Sequence, residues 1–171
     1  MKFNYYAFRA MYFHEMDRFK RTLMQSLFSP VLSTSLYFIV FGSVIGGYVE
    51  KIDGISYGSF IVPGLLMLTL LTQSISNTSF GIFFPKFNGT MSEILAAPIS
   101  TFEIVLAFVG AGATKTLIVG VVIFLTATFF VEVQVMYPLL MIFLLVLVAF
   151  TFALFGFLIG LMSTNFEQMS I

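Results

Sequence analysis

Few side chains in this sequence could do chemistry, and they are scattered. Lys115 is preceded by Gly110-Ala111-Gly112-Ala113-Thr114 and followed by Thr116, which imitates a loop that cradles phosphates. Such a loop needs glycine directly before the lysine and a strand leading into it. Thr114 occupies that place and apolar residues surround the stretch, so a nucleotide site is rejected. Glu50, Lys51 and Asp53 share one short stretch, which reads most simply as a solvated turn. A membrane-anchored enzyme would need acid, base or nucleophile groups that converge, and no others gather. His14 is the only histidine and there is no cysteine. That excludes a multi-histidine metal site, a thiolate zinc site, a disulfide framework and a cysteine nucleophile. We therefore predict no catalytic residue, no metal ligand and no cofactor bound by this chain.

The elements that carry these residues follow from composition. The 171 residues include 8 Lys+Arg and 8 Asp+Glu, for a net charge of +0, and charged residues make up 9% against 59% hydrophobic. A soluble domain carries about 25% charged residues. With a mean hydropathy of +1.03, most of the chain must face lipid. The few balanced charges provide no field to hold nucleic acid. No charge interrupts the stretches from Arg21 to Glu50, Asp53 to Lys86, or Glu132 to Glu167, and only Lys115 interrupts Glu103 to Glu132. A span needs about 20 apolar residues to cross roughly 30 Å of hydrocarbon. The expected fold is therefore an all-α membrane protein with spans at residues 29–49, 57–84, 101–131 and 138–162. Short cytoplasmic segments accumulate cations. With both termini cytoplasmic, Lys2, Arg9, Arg18, Lys20, Arg21 and Lys86 lie inside and Lys51 alone lies outside. The start of the chain lacks an apolar h-region and a small-residue cleavage site, so no cleavable signal peptide is expected.

Residues 3–28 read as an amphipathic helix. Tyr5, Phe8, Tyr12, Met16, Phe19, Leu23 and Leu27 share one face, opposite His14, Arg18, Arg21 and Gln25. Such a helix is expected to lie in the headgroup plane. It serves either as an anchor or as a helix that also transmits force from a cytoplasmic partner. Asp17 and Arg21 form a predicted i,i+4 pair, and Ser29-Pro30 marks the expected corner into the first span. Gly42 and Gly46, and Gly156 and Gly160, are GxxxG pairs that let helices approach closely, within one subunit or between two. The second span carries Thr69, Thr72, Gln73, Ser76, Asn77 and Ser79. Polar residues there are either interhelical glue or the lining of a wet path. Lys115 is expected to snorkel toward the inner surface.

Between the second and third spans, Asn88-Gly89 makes a turn. Thr90-Met91-Ser92-Glu93 reads as a capping box, Pro98 ends a short helix, and Ser100-Thr101-Phe102-Glu103 is a second capping box. The segment 88–98 displays Met91, Ile94 and Leu95, either as a loop resting on headgroups or as a docking element. Asn88-Gly89-Thr90 also matches a glycosylation acceptor, discounted because it lies on the expected cytoplasmic side.

The whole pattern resembles the permease subunits of ABC-2-type transporters, bacterial inner-membrane exporters that associate with a separate ATPase. Tyr37-Phe38-Ile39-Val40-Phe41-Gly42 resembles the family's first span. Gly54-Ile55-Ser56-Tyr57 and Phe60-Ile61-Val62-Pro63-Gly64 resemble the entry to its second. Glu93-Ile94-Leu95-Ala96-Ala97-Pro98-Ile99-Ser100 is similar to its coupling helix, and Asn165-Phe166-Glu167-Gln168 to the start of a fifth span. The resemblance implies a permease in the bacterial inner membrane that pairs with a second copy to form an export pathway. It also implies an ABC ATPase partner, which binds ATP with Mg, and a coupling role for Thr90, Met91, Glu93, Ile94, Leu95 and Pro98. Six-span relatives imply that this chain holds the first four spans. The resemblance selects no substrate among polysaccharides, lipids and drugs. The rival readings are a small four-span scaffold and a membrane-anchored enzyme.

Overall fold

The computed structural model describes residues 3–45, 56–131, 133 and 135–169, which leaves Gly46, Glu50, Lys51 and Asp53 outside the described residues. The described backbone is helical, without strands: α1 (Tyr5–Arg21), α2 (Leu23–Tyr37) continuing as a π-helical stretch (Phe38–Ile45), α3 (Tyr57–Phe87), α4 (Met91–Ala96), α5 (Thr101–Phe130), α6 (Pro138–Met162) and a closing 3₁₀ turn (Phe166–Met169). Among the described residues, four helices are long and apolar enough to cross a membrane, over Leu23–Phe41, Tyr57–Phe87, Thr101–Phe130 and Pro138–Met162. The chain is an all-α membrane protein.

The first helical boundary falls at Thr22, not at Ser29-Pro30. The Thr22 backbone leaves the helix at φ −108 and ψ 15. Its hydroxyl donates to the carbonyls of Arg18 and Phe19, both at 3.3 Å, the local competition by which threonine ends helices. A new helix then begins, with the Ser26 amide donating to Thr22 O at 2.9 Å. Pro30 consequently sits inside α2, buried, instead of at its first turn. The apolar period runs on through Phe19, Leu23 and Leu27, so the sequence pattern hides this break.

α1 does not lie across the spans. Three hydrogen bonds join it to the start of α5, from Asn4 to Glu103, Tyr12 to Thr114 and Lys115 to Glu15, at sequence separations of 99, 102 and 100 residues. A separation that stays nearly constant over three turns requires two helices side by side, running the same way with the same rise. Phe19 is buried one turn further on, in a cluster with Val119, Ile123, Leu66 and Leu70. The expected headgroup-plane helix is therefore replaced by one packed lengthwise on α5, because its apolar stripe finds protein to cover it.

The remaining helices alternate in direction. Gly112 meets Thr78 and Gly120 meets Leu70, so α5 runs against α3. Gly156 meets Ile75 and Gly160 meets Ser79, so α6 runs with α3. A Cβ added at Gly156 would lie 2.5 Å from the Ile75 carbonyl oxygen, and one at Gly160 2.5 Å from that of Ser79. This GxxxG pair therefore packs α6 on α3 within the chain. Of its counterpart in the first span, Gly42 belongs to the π-helical stretch, while Gly46 is outside the described residues. Gly110 to Thr116 lies in the middle of α5, where no phosphate-binding loop can form.

Candidate functional site

The segment between α3 and α5 begins at Asn88-Gly89. Gly89 takes φ 78, a left-handed conformation that suits glycine and ends α3 sharply. The capping box expected at Thr90 does not form. The Thr90 backbone is already helical, at φ −70 and ψ −12, and its hydroxyl donates to Pro85 O at 3.3 Å. The second box does form: the Glu103 amide donates to Ser100 Oγ at 3.3 Å, and the Ser100 amide to Glu103 Oε2 at 2.8 Å.

α4 divides its side chains between two environments. Met91 and Ile94 turn inward, with Ile99, against a core cluster built on Ile82, Ile104 and Phe108. Expected on display, they instead anchor the segment, because a helix of 6 residues has room for one inward face. Glu93, Leu95 and Pro98 point outward, and Leu95 is 65% exposed.

Glu103 ties this segment to the start of the chain. It is only 2% exposed, and its second oxygen accepts the amide of Asn4. One carboxylate therefore holds both the first residue of the α5 cap and the residue that caps α1, where Asn4 Oδ1 in turn accepts the Ala7 amide at 3.2 Å. Beside this clamp opens a cavity of about 470 Å³, lined by Phe3, Tyr5, Tyr6, Pro98 and Glu103 among others.

Three turns along, α1 and α5 are joined by charge. Lys115 Nζ lies 2.7 Å from Glu15 Oε2, and each side chain is 4% exposed. Arg18 Nη2 approaches the same oxygen at 3.0 Å, and its guanidinium lies over the Phe84 ring at 5.8 Å. Lys115 therefore does not snorkel. A charged partner on α1 meets it first, and pairing relieves the cost of burial that snorkelling would avoid. Asp17 pairs with Lys20 at 3.0 Å, leaving Arg21 Nε to donate to the Asp17 carbonyl at 3.4 Å, so the expected Asp17–Arg21 pair is also replaced. Sequence reasoning passed over Glu15, although it stands in the apolar stripe between Tyr12 and Phe19. A carboxylate in such a stripe, and a lone lysine in a span, are the signal that would have joined them.

The polar residues of the second span occupy two faces of α3. On the inner face, Asn77 Nδ2 donates to Thr116 Oγ1 on α5 at 3.4 Å. Ser74, absent from the predicted set, donates to the Ala149 carbonyl of α6 at 2.8 Å. On the other side, Thr69 and Thr72 bond back to their own helix, at Leu65 O (2.8 Å) and Leu68 O (3.0 Å); Thr72 is exposed, while Gln73 and Ser76 are half-buried. Lys86, at the end of α3, donates to the carbonyls of Leu161 and Ser163, each at 2.8 Å. It thereby caps the end of α6. Among the described residues, no group of three metal-ligating side chains gathers.

Four apolar helices, with a short helix wedged between the second and third and an N-terminal helix locked to the third, define a multi-pass membrane protein. The profile of the ABC-2 type transporter family matches residues 6–171, and the chain belongs to that family. Among curated proteins it is similar to the inner membrane transport permease YadH of Escherichia coli strain K12, 36% identical over 165 residues, which are 96% of this chain and 64% of that protein. The YadH proteins of Escherichia coli O157:H7 and Shigella flexneri match with the same identity and coverage. The chain thus spans 64% of the length of these relatives. No solved structure matches it.

Proposed function

We propose that this chain is the membrane-spanning portion of a permease subunit in an ATP-driven exporter of a bacterial inner membrane. Family membership over residues 6–171 supports the transporter role. The observation that carries the coupling role is α4, whose Met91 and Ile94 are anchored in the core while Glu93, Leu95 and Pro98 face outward. An element with a fixed base and a free apolar tip suits a push from a soluble partner. That partner is an ABC ATPase, which binds ATP with Mg and performs the hydrolysis, while this chain is non-catalytic. A second permease copy completes the pathway, with Thr69, Thr72, Gln73 and Ser76 on the side of α3 that lines it. Both ends of the chain are cytoplasmic, on the side of α4.

The test compares two neighbouring residues. Leu95→Asp is expected to lower recovery of the ATPase in a detergent pull-down about tenfold, as loss of a central apolar anchor does, with insertion unchanged. Ile94→Asp is expected to reduce the amount of folded protein, because that side chain faces the core. A photo-crosslinker on Ser92→Cys, an exposed position in a chain without other cysteines, should capture the ATPase. Unchanged recovery with Leu95→Asp, together with no adduct at position 92, would refute the coupling role.

A further inference from the structure

The charge cluster between α1, α3 and α5 is unbalanced. Lys115 and Arg18 share one oxygen of one carboxylate, Glu15 Oε2. The nearby Asp17–Lys20 pair is neutral in itself, and α3 contributes Gly81 and Phe84 to the cluster, neither of them charged. Two cations against one anion leave a positive charge uncompensated. Hydrogen bonding is unbalanced too. A lysine ammonium has three donors and a guanidinium five, yet among the described residues Glu15 is the only acceptor bonded to either side chain. Lys115 is sealed in, but the Arg18 side chain is 30% exposed and provides the way out.

The surface next to Arg18 is apolar. Its guanidinium stacks on Phe84, and one turn back along α3 Phe80 is also exposed, at 44% against 45% for Phe84. A free anion has no use for that row, whereas an acyl chain would lie along it. We propose that Arg18, backed by Lys115, binds the phosphate of an anionic phospholipid from the leaflet on the α4 side, with Phe80 and Phe84 carrying the chain below it. Basic recesses between spans on the cytoplasmic side hold anionic headgroups in this way. The lipid supplies the missing negative charge, and the guanidinium fork suits two phosphate oxygens. The site rests on the membrane topology proposed above but not on an ATPase, so the two readings fail separately.

The experiment uses the full chain in nanodiscs of phosphatidylcholine doped with phosphatidylglycerol, and native mass spectrometry to read the lipid retained. Wild type is expected to retain phosphatidylglycerol over phosphatidylcholine. Arg18→Gln is expected to lose about fivefold of that preference, the worth of one cation near a membrane surface. Arg18→Lys, which keeps the charge without the fork, should fall between them and supports the site even if Arg18→Gln folds poorly. Lys20→Gln, on an exposed residue paired outside the cluster, should match wild type. Equal retention by wild type, Arg18→Gln and Arg18→Lys would overturn the proposal. So would inorganic phosphate, added to discs of pure phosphatidylcholine, if it alone were retained at the site, since the ligand would then be a free anion. Co-flotation of each variant with vesicles reports separately on the membrane reading.

Discussion

Replacing Glu15 with leucine will destabilise the full chain by about 3–5 kcal/mol in detergent unfolding, the range for leaving a buried charge without its partner. Lys115 is left with its ammonium sealed in and the Arg18 guanidinium next to it, so that two cations sharing one anion become two facing cations with none. Lys115→Leu should cost distinctly less, because Glu15 keeps Arg18 at 3.0 Å. The double variant Glu15→Leu/Lys115→Leu should recover most of the loss of Glu15→Leu, since an apolar pair often replaces a buried ion pair at little cost. Its non-additivity is the diagnostic quantity. Simple addition of the two single effects would show that Glu15 and Lys115 do not act as a pair.

The second large effect lies at the α3–α6 contact. Gly156→Val and Gly160→Val force side-chain atoms into backbone. A new Cβ would meet the Ile75 carbonyl oxygen at Gly156, and at Gly160 both the Ile82 side chain and the Ser79 carbonyl oxygen; the carbonyls cannot rotate aside as a side chain would. Overpacking costs about 1–3 kcal/mol even where side chains can yield, so each variant should reach or exceed that range and the pair should separate α6 from α3. Gly64 is the control. A Cβ there meets nothing within 4 Å, and Gly64→Ala should stabilise α3 by up to about 1 kcal/mol through helix propensity. Resistance of α6 to proteolysis in detergent would check all three. Wild-type resistance in Gly160→Val would show that the two helices do not pack through this face.

The spans were legible because charge is so costly in hydrocarbon that its absence marks them. The boundaries at Tyr57, Thr101, Pro138 and Met162 follow from caps, a proline and charge gaps that any reader of the chain can see. What stayed hidden shares one cause. Periodicity describes a helix face and says nothing about what covers it. The stripe through Tyr12, Met16 and Phe19 promised an apolar surface, and lipid and α5 were equally good covers until contacts 100 residues away decided between them. The two faces of α4 could not be told apart, since Ile94 and Leu95 are adjacent, similar residues and only the position of the core separates them. The polar run on α3 looked like one stripe. It divides because Ser74 and Asn77 face partners while Thr72 does not.

The parallel register of α1 and α5 also sets an order of events at birth. Glu15 cannot meet Lys115 until 100 more residues have been made, which at about 5–20 residues per second takes roughly 5–20 s of synthesis. Throughout that interval the newborn amphipathic helix has no α5 to cover it, and its stripe of Tyr, Phe, Met and Leu can shelter only at the bilayer surface or with a chaperone. The headgroup-plane position suggested by its sequence thus describes a waiting room. The α5 segment inserts with its lysine unpaired, and docking of α1 is the late step that neutralises it.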